Sequence, residues 1–327
     1  MKKILSLFLA LLMIFSVVSL VGCGEKETLK FGMGVYSYSS KVQSATDEAK
    51  GLGEGVVTVA AVLLDKNDKI VKCVIDTADN KVNFTADGKA ETAEAFKTKY
   101  ELGDNYGMKA YGGATKEWFE QVDALTALVI GKNVDEVKAL LAEDEKGTDD
   151  VISAGCTITI TDFVKALVKA FANATESEAT ADDSLKLGII SSQASANDAT
   201  AEKAGSNGFD TAISATVINA DKKVVATAID TVSFSVSFDT KGVTTDEAKA
   251  LISKGEQGDN YGMKAYGGAK KEWFEQIDAL ETLCVGKTAD EITALVAADG
   301  KGVADVQSAG CTITITDVVK AVAASAK

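Results

Sequence analysis

The sequence predicts an α+β fold built from two tandem copies of a two-layer module, in which an antiparallel sheet packs against helices. Two segments recur at an offset of 155 residues. YGMKAYGGATKEWFEQVDAL from Tyr106 and YGMKAYGGAKKEWFEQIDAL from Tyr261 are identical at 18 of 20 positions, and SAGCTITITD from Ser153 recurs unchanged from Ser308. In the first copy, runs of β-branched residues precede segments with helical periodicity, which is typical of the α+β class.

The repeat defines two modules. Module 1 covers residues 29–173 and module 2 covers residues 185–327, with LKLGIIS at Leu185 aligned to LKFGMGV at Leu29. Residues 174–184 are acidic and rich in Ser, Thr and Ala, and they are predicted to be a linker. Each module is long enough to form its own hydrophobic core.

Module 1 starts with strands. Residues 56–64 and 70–75 are rich in β-branched side chains and flank the polar segment DKNDK, which predicts a hairpin. Residues 82–84 are predicted to add a short strand, and residues 90–100 are predicted to form a helix. The glycine-rich segment GDNYGMKAYGG, residues 103–113, is predicted to be a loop.

The rest of module 1 is predicted to be mainly helical. Apolar residues spaced from Trp118 to Val129 predict a helix whose apolar stripe packs in the core. Asn133 is placed to cap a second helix. Residues 157–160 are predicted to be extended, and the last helix is predicted to begin near Thr161.

The amino terminus has the pattern of a lipoprotein signal. Two lysines precede an apolar run over residues 4–18, and Gly22 comes directly before Cys23 in a lipobox. The run is shorter than the roughly 20 residues that a spanning helix needs, which favours a cleaved signal over a transmembrane anchor. We expect residues 1–22 to be removed, Cys23 to carry lipid and residues 23–28 to be a tether. The protein would then be anchored to the membrane at the extracellular face of the cell.

The mature chain is strongly acidic. The formal net charge of the full sequence is −14, and loss of the signal removes two lysines and no acid, giving −16. Nucleic acid would be repelled, so no nucleic-acid partner is expected. The sequence has no His, and all 34 of its basic residues are Lys. This excludes His-dependent hydrolase chemistry and leaves Lys, hydroxyls and backbone N–H groups to hold an anion.

Several residues have simple structural interpretations. Glu117, Glu120 and Asp123 recur at every third position and are interpreted as a solvated helix face, with a calcium site as the alternative. Cys73 and Cys284 are interpreted as structural thiols, because no CxxC spacing indicates zinc or a redox dithiol.

The repeated glycine-rich loop is a candidate ligand site. Its glycines would let backbone N–H groups approach a ligand, and Tyr106, Tyr111 and Lys109 offer aromatic stacking and charge. Tyr261 and Tyr266 are the corresponding tyrosines of module 2. A tight turn shared since the duplication explains the same identity, and the sequence does not separate the two interpretations.

The strongest candidate is DVISAGCTITITD from Asp150, with DVQSAGCTITITD from Asp305 as its counterpart. Small residues and hydroxyls ahead of a helix would leave backbone N–H groups and the positive helix end facing an anion such as a phosphate. The alternative is a core strand with a Thr cap. The candidate cofactor-binding residues of the motif are Asp150, Ser153, Ala154, Gly155, Cys156 and Thr157 in module 1, and Asp305, Ser308, Ala309, Gly310, Cys311 and Thr312 in module 2.

These residues resemble the FMN-binding domain family of exported flavoproteins, whose signature is Asp, two variable residues, Ser or Thr, Gly, Ala and Thr. Asp150 and Ser153 match the Asp and the hydroxyl, and module 2 matches at the corresponding positions. Cys156 stands at the final Thr, to which the family attaches FMN by a phosphoester bond. The order of hairpin, helical middle, motif and final helix is also similar. The resemblance implies FMN as the cofactor, and the Cys at the acceptor position argues against covalent attachment.

Three functional hypotheses follow. In the first, the modules bind FMN and relay electrons at the cell surface, with the cofactor supplying the redox chemistry. In the second, a non-enzymatic surface lipoprotein without a cofactor uses the duplicated loops for binding or adhesion to a peptide, glycan or protein. In the third, Cys156 and Cys311 form a thiol switch, although acidic surroundings raise a thiol pKa.

Overall fold

The computed structural model describes residues 27–327, so the predicted signal peptide and the predicted lipidation site at Cys23 lie outside the described residues. This part of the chain contains antiparallel sheets and ten helices, which confirms the predicted α+β class. No helix in residues 27–327 is both long and apolar enough to cross a membrane.

Three long strands and five helices form the first half of the described chain. The strands are β1 (Thr28–Gln43), β2 (Gly51–Leu64) and β3 (Ile70–Phe84). The helices are α1 (Lys99–Leu102), α2 (Trp118–Val129), α3 (Val134–Lys138), α4 (Asp149–Ala154) and α5 (Thr161–Ala172). A short 3-10 turn, Gly103–Tyr106, directly follows α1.

The second half has the same order of three strands and five helices, with two extra short strands. The first extra strand, β4 (Thr175–Thr180), lies within the predicted linker, residues 174–184. The remaining strands are β5 (Ser184–Asn197), β6 (Gly205–Ile218), β7 (Val224–Phe238) and the two-residue β8 (Ala250–Leu251). The helices are α6 (Lys254–Gln257), α7 (Trp273–Cys284), α8 (Ala289–Thr293), α9 (Ala304–Ala309) and α10 (Thr316–Ser325).

The two sheets pack face to face, with helices on their outer sides. One sheet has the order β3-β2-β1-β4, with β8 also paired to β1, and the other has the order β5-β6-β7. Because β2 is apolar on both faces, it contributes to two cores. Val57 and Val59 join Ile213 of the second sheet in one core, whereas Ala60 and Val62 join the helices of module 1 in another. The layers therefore run helix, sheet, sheet, helix.

Glycines in β1 and β5 let a helix lie directly on the strand backbone. A Cβ at Gly34 would be 2.1 Å from the carbonyl oxygen of Ala166 in α5, and a Cβ at Gly188 would be 2.0 Å from that of Ala321 in α10. The matching contacts align Gly34 with Gly188, an offset of 154. The alignment of LKFGMGV with LKLGIIS is therefore wrong by two residues. A short similar segment determines which strand residues correspond less reliably than the contact of each strand with its helix.

The segment before α1 is not the predicted helix. Within residues 90–100 only Lys99 and Tyr100 are helical. The Phe96 ring packs against Phe209 of the other sheet, and the Ala93 N–H donates to Gln193 Oε1. Contacts with the second half of the chain thus override the local helical propensity.

Most of the other predicted elements are present in the structure. The hairpin, the helix from Trp118, the helix capped by Asn133 and the last helix from Thr161 are confirmed. The predicted glycine-rich loop, residues 103–113, is confirmed in part, because its first four residues form the 3-10 turn Gly103–Tyr106. Residues 82–84 are the end of β3 rather than a separate strand. Residues 157–160 form no strand, because their single backbone bridge is between Lys146 and Thr159.

Candidate functional site

The small-residue motif is the end of α4, and not the start of the next helix. Gly155 ends α4 in the left-handed conformation, with φ 105°. Its N–H donates to the Ile152 carbonyl at 3.0 Å, and the Cys156 N–H donates to the Val151 carbonyl at 3.1 Å. The expectation of open backbone amides here is therefore wrong, because a helix C-terminal cap uses them.

Gln121 of α2 holds Thr157, two residues after the Gly155 cap. Both the N–H and the hydroxyl of Thr157 donate to Gln121 Oε1, at 2.8 and 3.0 Å. The same pair recurs in module 2, where Thr312 donates to Gln276 Oε1 at 2.9 and 3.1 Å. The glutamine and the threonine, identical in both copies, thus maintain the same packing of this helix against the motif in each half.

The motif cysteines face the protein interior. Cys156 and Cys311 are fully buried, and both are free thiols, as are Cys73 and Cys284. Burial raises the pKa of Cys156 to about 11 and also raises the pKa of Cys311. Because a neutral, enclosed thiol is a poor nucleophile, the structure disfavours both a thiol switch and an attachment at these sulfurs.

A buried carboxylate shapes the repeated loop. Glu117, only 2% exposed, accepts hydrogen bonds from the N–H groups of Met108 and Lys109 at 2.8 and 3.0 Å. The interpretation of Glu117 as part of a solvated face is wrong, because the loop folds over the start of α2 and brings these amides to the carboxylate. Within residues 27–327, no three His, Cys, Asp or Glu side chains are placed to hold a metal ion.

The two tyrosines of the loop have different surroundings. Tyr106 is half-buried, whereas Tyr111 is 92% exposed, and in module 2 Tyr261 is half-buried while Tyr266 is 91% exposed. The Tyr111 ring lies against Gly107, where a Cβ would be 2.6 Å from it. Tyr106 therefore faces the sheet, and Tyr111 faces solvent.

A cavity of about 660 Å³ lies between this loop, the sheet and the segment after α4 in module 1. Its volume is within the range of about 300–1,000 Å³ typical of small-molecule sites. The lining combines aromatic rings, hydroxyls, two lysines and two aspartates. The lining residues are Tyr38, Val56, Thr58, Thr77, Asp79, Lys99, Tyr106, Met108, Trp118, Lys146, Thr157, Ile158, Thr159, Asp162 and Phe163.

Lys99 and Asp79 form an ion pair beside the aromatic wall of the cavity. Lys99 Nζ is 2.9 Å from Asp79 Oδ2, and it lies 5.2 Å from the ring centre of Tyr106 and 5.6 Å from that of Trp118. Burial lowers the pKa of Lys99, but the Asp79 and Tyr106 interactions outweigh it and leave that pKa raised. Asp79 Oδ1 is buried without a hydrogen-bond partner. A buried acceptor without a partner is unusual in folded proteins, and it can accept a hydrogen bond from a ligand donor.

Tyr38 and Asp162 form a second polar pair in the lining. The Tyr38 hydroxyl donates to Asp162 Oδ2 at 2.9 Å. Burial and the Asp162 charge raise the pKa of Tyr38, and burial raises the pKa of Asp162. Tyr38 therefore remains a protonated donor at neutral pH.

Few of the sequence-predicted residues meet at this cavity. Tyr106 and Thr157 line it, whereas Asp150, Ser153 and Ala154 are exposed on α4. Asp305, Ser308, Ala309 and Thr312 are likewise exposed in module 2, and Gly310 caps α9. Sequence reasoning missed Tyr38, Asp79 and Lys99, which come from strands and a helix far apart in the chain. Asp162 could have been identified from the sequence, since it is the last residue of the repeated segment SAGCTITITD.

No protein-family model, curated protein or solved structure matches this chain. The chemistry of the cavity therefore carries the functional argument.

Proposed function

We propose that this protein is a surface lipoprotein, anchored through Cys23, whose tandem modules derive from an FMN-binding-like unit. In this proposal the module 1 cavity holds FMN without a covalent bond, and the protein serves in extracellular electron transfer. Bound flavin would supply one- and two-electron transfer. The observation that carries the proposal is a ligand-sized cavity that joins both repeated motifs and contains an orphaned buried acceptor.

The lining suits a flavin in three respects. Tyr106, Trp118 and Phe163 supply aromatic surface for a planar ring. Asp79 Oδ1 can accept a hydrogen bond from a ring N–H group. The exposed Lys146, with the hydroxyls around it, offers charge and hydrogen bonds to a phosphate without any Arg.

Absorbance and FMN titration test the proposal. Full-length protein purified in detergent should show flavin absorption bands, or should quench the fluorescence of added FMN. Tyr106→Ala removes one wall of the cavity and is expected to weaken FMN binding at least tenfold, about 1.4 kcal/mol. Tyr111→Ala, in the same loop but outside the cavity, is the matched control and should leave the affinity unchanged.

A protein that has no flavin absorption and does not bind added FMN would contradict the flavin proposal. In that case the cofactor-free alternative, a binding or adhesion lipoprotein, is preferred. The exposed Tyr111 and Tyr266 favour this second function, because the same solvent-facing ring occurs in both modules. If a Tyr111→Ala, Tyr266→Ala double variant no longer binds a peptide, glycan or protein that the unchanged protein binds, this second function is supported.

Lipid anchoring has a separate test. Cys23→Ala removes the proposed acceptor and is expected to release the protein from the membrane fraction, while radiolabelled palmitate should enter the unchanged protein and the Cys73→Ala variant but not the Cys23→Ala variant. Cys73→Ala is the control. Retention of the Cys23→Ala protein in the membrane would contradict lipid anchoring.

A further inference from the structure

The cavity region has a close counterpart in module 2. Lys254, Tyr261, Trp273 and Asp317 occupy the places of Lys99, Tyr106, Trp118 and Asp162 at an offset of 155. Lys254 Nζ lies 5.6 Å from the Tyr261 ring centre, much as Lys99 lies over Tyr106. The second copy is therefore an internal comparison in which the frame is retained and only some lining residues differ.

Two aromatic side chains are lost in module 2. Tyr38 corresponds to Ser192 in the strand register, and each hydroxyl donates to the equivalent aspartate, at 2.9 Å to Asp162 and 2.7 Å to Asp317. Phe163 corresponds to Val318. The hydrogen bond is thus kept while two parts of the aromatic wall are removed.

The carboxylate that pairs with the lysine also comes from a different strand in module 2. Asp79 of β3 corresponds to Ser233 of β7, whereas Val56 of β2 corresponds to Asp210 of β6. Lys254 Nζ now lies 3.7 Å from Asp210 Oδ2. Because neighbouring strands are about 4.8 Å apart, the carboxylate that pairs with the lysine lies roughly that distance from its position in module 1. Among the described residues, the orphaned buried oxygens are those of Asp79 and Asn80, so module 2 has no equivalent of this acceptor.

We infer that only module 1 takes the flavin-sized ligand, and that Tyr38, Asp79 and Phe163 determine this selectivity. The inference rests on the proposed function. Module 2 retains the lysine but presents its counter-charge from a different strand and lacks two of the rings. It therefore supports the fold without holding the same ligand.

Binding stoichiometry tests the inference. Calorimetric titration of the full-length protein in detergent with FMN, together with quenching of tryptophan fluorescence, should give one FMN per chain. Lys99→Met is expected to weaken binding at least tenfold, and the matched Lys254→Met should leave it unchanged. Two FMN per chain, or equal losses from both variants, would overturn the inference while leaving the proposed function intact. No FMN binding at all would overturn the proposed function and the inference with it.

A graft tests the selectivity residues directly. Module 2 receives the module 1 lining through Ser192→Tyr, Asp210→Val, Ser233→Asp and Val318→Phe. We expect the stoichiometry to rise from one towards two, with near-UV circular dichroism used to verify that the variant is folded. A folded graft that still binds a single FMN would overturn the assignment of these residues. The Lys99 and Lys254 variants decide the inference if the graft does not fold.

Discussion

The Glu117 carboxylate is the residue on which the repeated loop depends. It is almost fully buried, and its partners are backbone N–H groups of Met108 and Lys109. Glu117→Ala would leave these donors without an acceptor, so we expect a loss of about 3 kcal/mol in the free energy of unfolding. Urea denaturation measures this loss. Glu94→Ala, at an exposed site, is the control, and similar losses for both variants would contradict the argument.

Glu281 should make the stability depend on pH. Burial, reinforced by the charges of Asp278 and Asp230, raises the pKa of Glu281 to about 8 from an ordinary value of 4.5. Between these pH values the folded protein holds a proton that the unfolded chain releases, so stability falls as the pH rises through this window.

Glu281→Gln tests this effect, since its amide oxygen can still accept the 2.7 Å hydrogen bond from the Ile229 N–H. We expect the variant to be more stable than the unchanged protein at pH 9 by on the order of 2 kcal/mol, and nearly equal to it at pH 5. Thermal unfolding across this pH range measures the difference. Glu178→Gln, at an exposed site, is the control. A gap that stays constant with pH would rule out Glu281 as the titrating group.

At the scale of elements, the contact of α5 with β1 depends on Gly34. A Cβ at this position would meet the Ala166 carbonyl oxygen at 2.1 Å, and backbone atoms cannot rotate away as a side chain can. Gly34→Ala is therefore expected to cost about 2 kcal/mol of stability through overpacking. Chemical denaturation compares it with Ser40→Ala, an exposed substitution on the same strand. A Gly34→Ala protein as stable as the Ser40→Ala protein would show that α5 shifts freely.

Local signals account for the elements that the sequence predicted. The hairpin turn is set by Asp65, whose carboxylate accepts from the N–H groups of Asn67 and Lys69. Helix α4 has equally local signals, namely Asp149 and Asp150 in its first turn and Gly155 after its end, and these signals are sufficient to predict a helix here. The segment around Phe96 carried no such signal, because its structure depends on a ring more than 100 residues away.

The candidate site was predictable only in part for the same reason. Tyr106 and Thr157 stood out because they lie in repeated segments. Asp79 and Lys99 meet only once β3 and α1 have packed together, and their contact of 2.9 Å has no signature in sequence spacing. The cavity is thus a tertiary feature, and the orphaned oxygen that supports a ligand is visible only in three dimensions.

At the scale of the whole molecule, the two halves share a core. The inner faces of both sheets contribute to it, with Val57 and Val59 on one side and Ile213 and Val217 on the other. Either half alone would expose this apolar surface to water, which costs about 25 cal/mol per Å². Pairing of β8 with β1 further joins module 2 to the sheet of module 1.

The shared core predicts that both halves unfold in one transition, and the chain carries a reporter for each half. Trp118 and Trp273 are its two tryptophans, so Trp273→Phe leaves a probe in module 1 and Trp118→Phe leaves one in module 2. For each variant, urea denaturation followed by tryptophan fluorescence, which reports one half, and by far-UV circular dichroism, which reports both halves, should give coincident midpoints. Ile213→Ala, although it lies in module 2, should lower both midpoints, through a loss of about 3 kcal/mol. Separate midpoints, or a shift confined to the module 2 probe, would mean that the modules fold independently and that the face-to-face packing of their sheets contributes little stability.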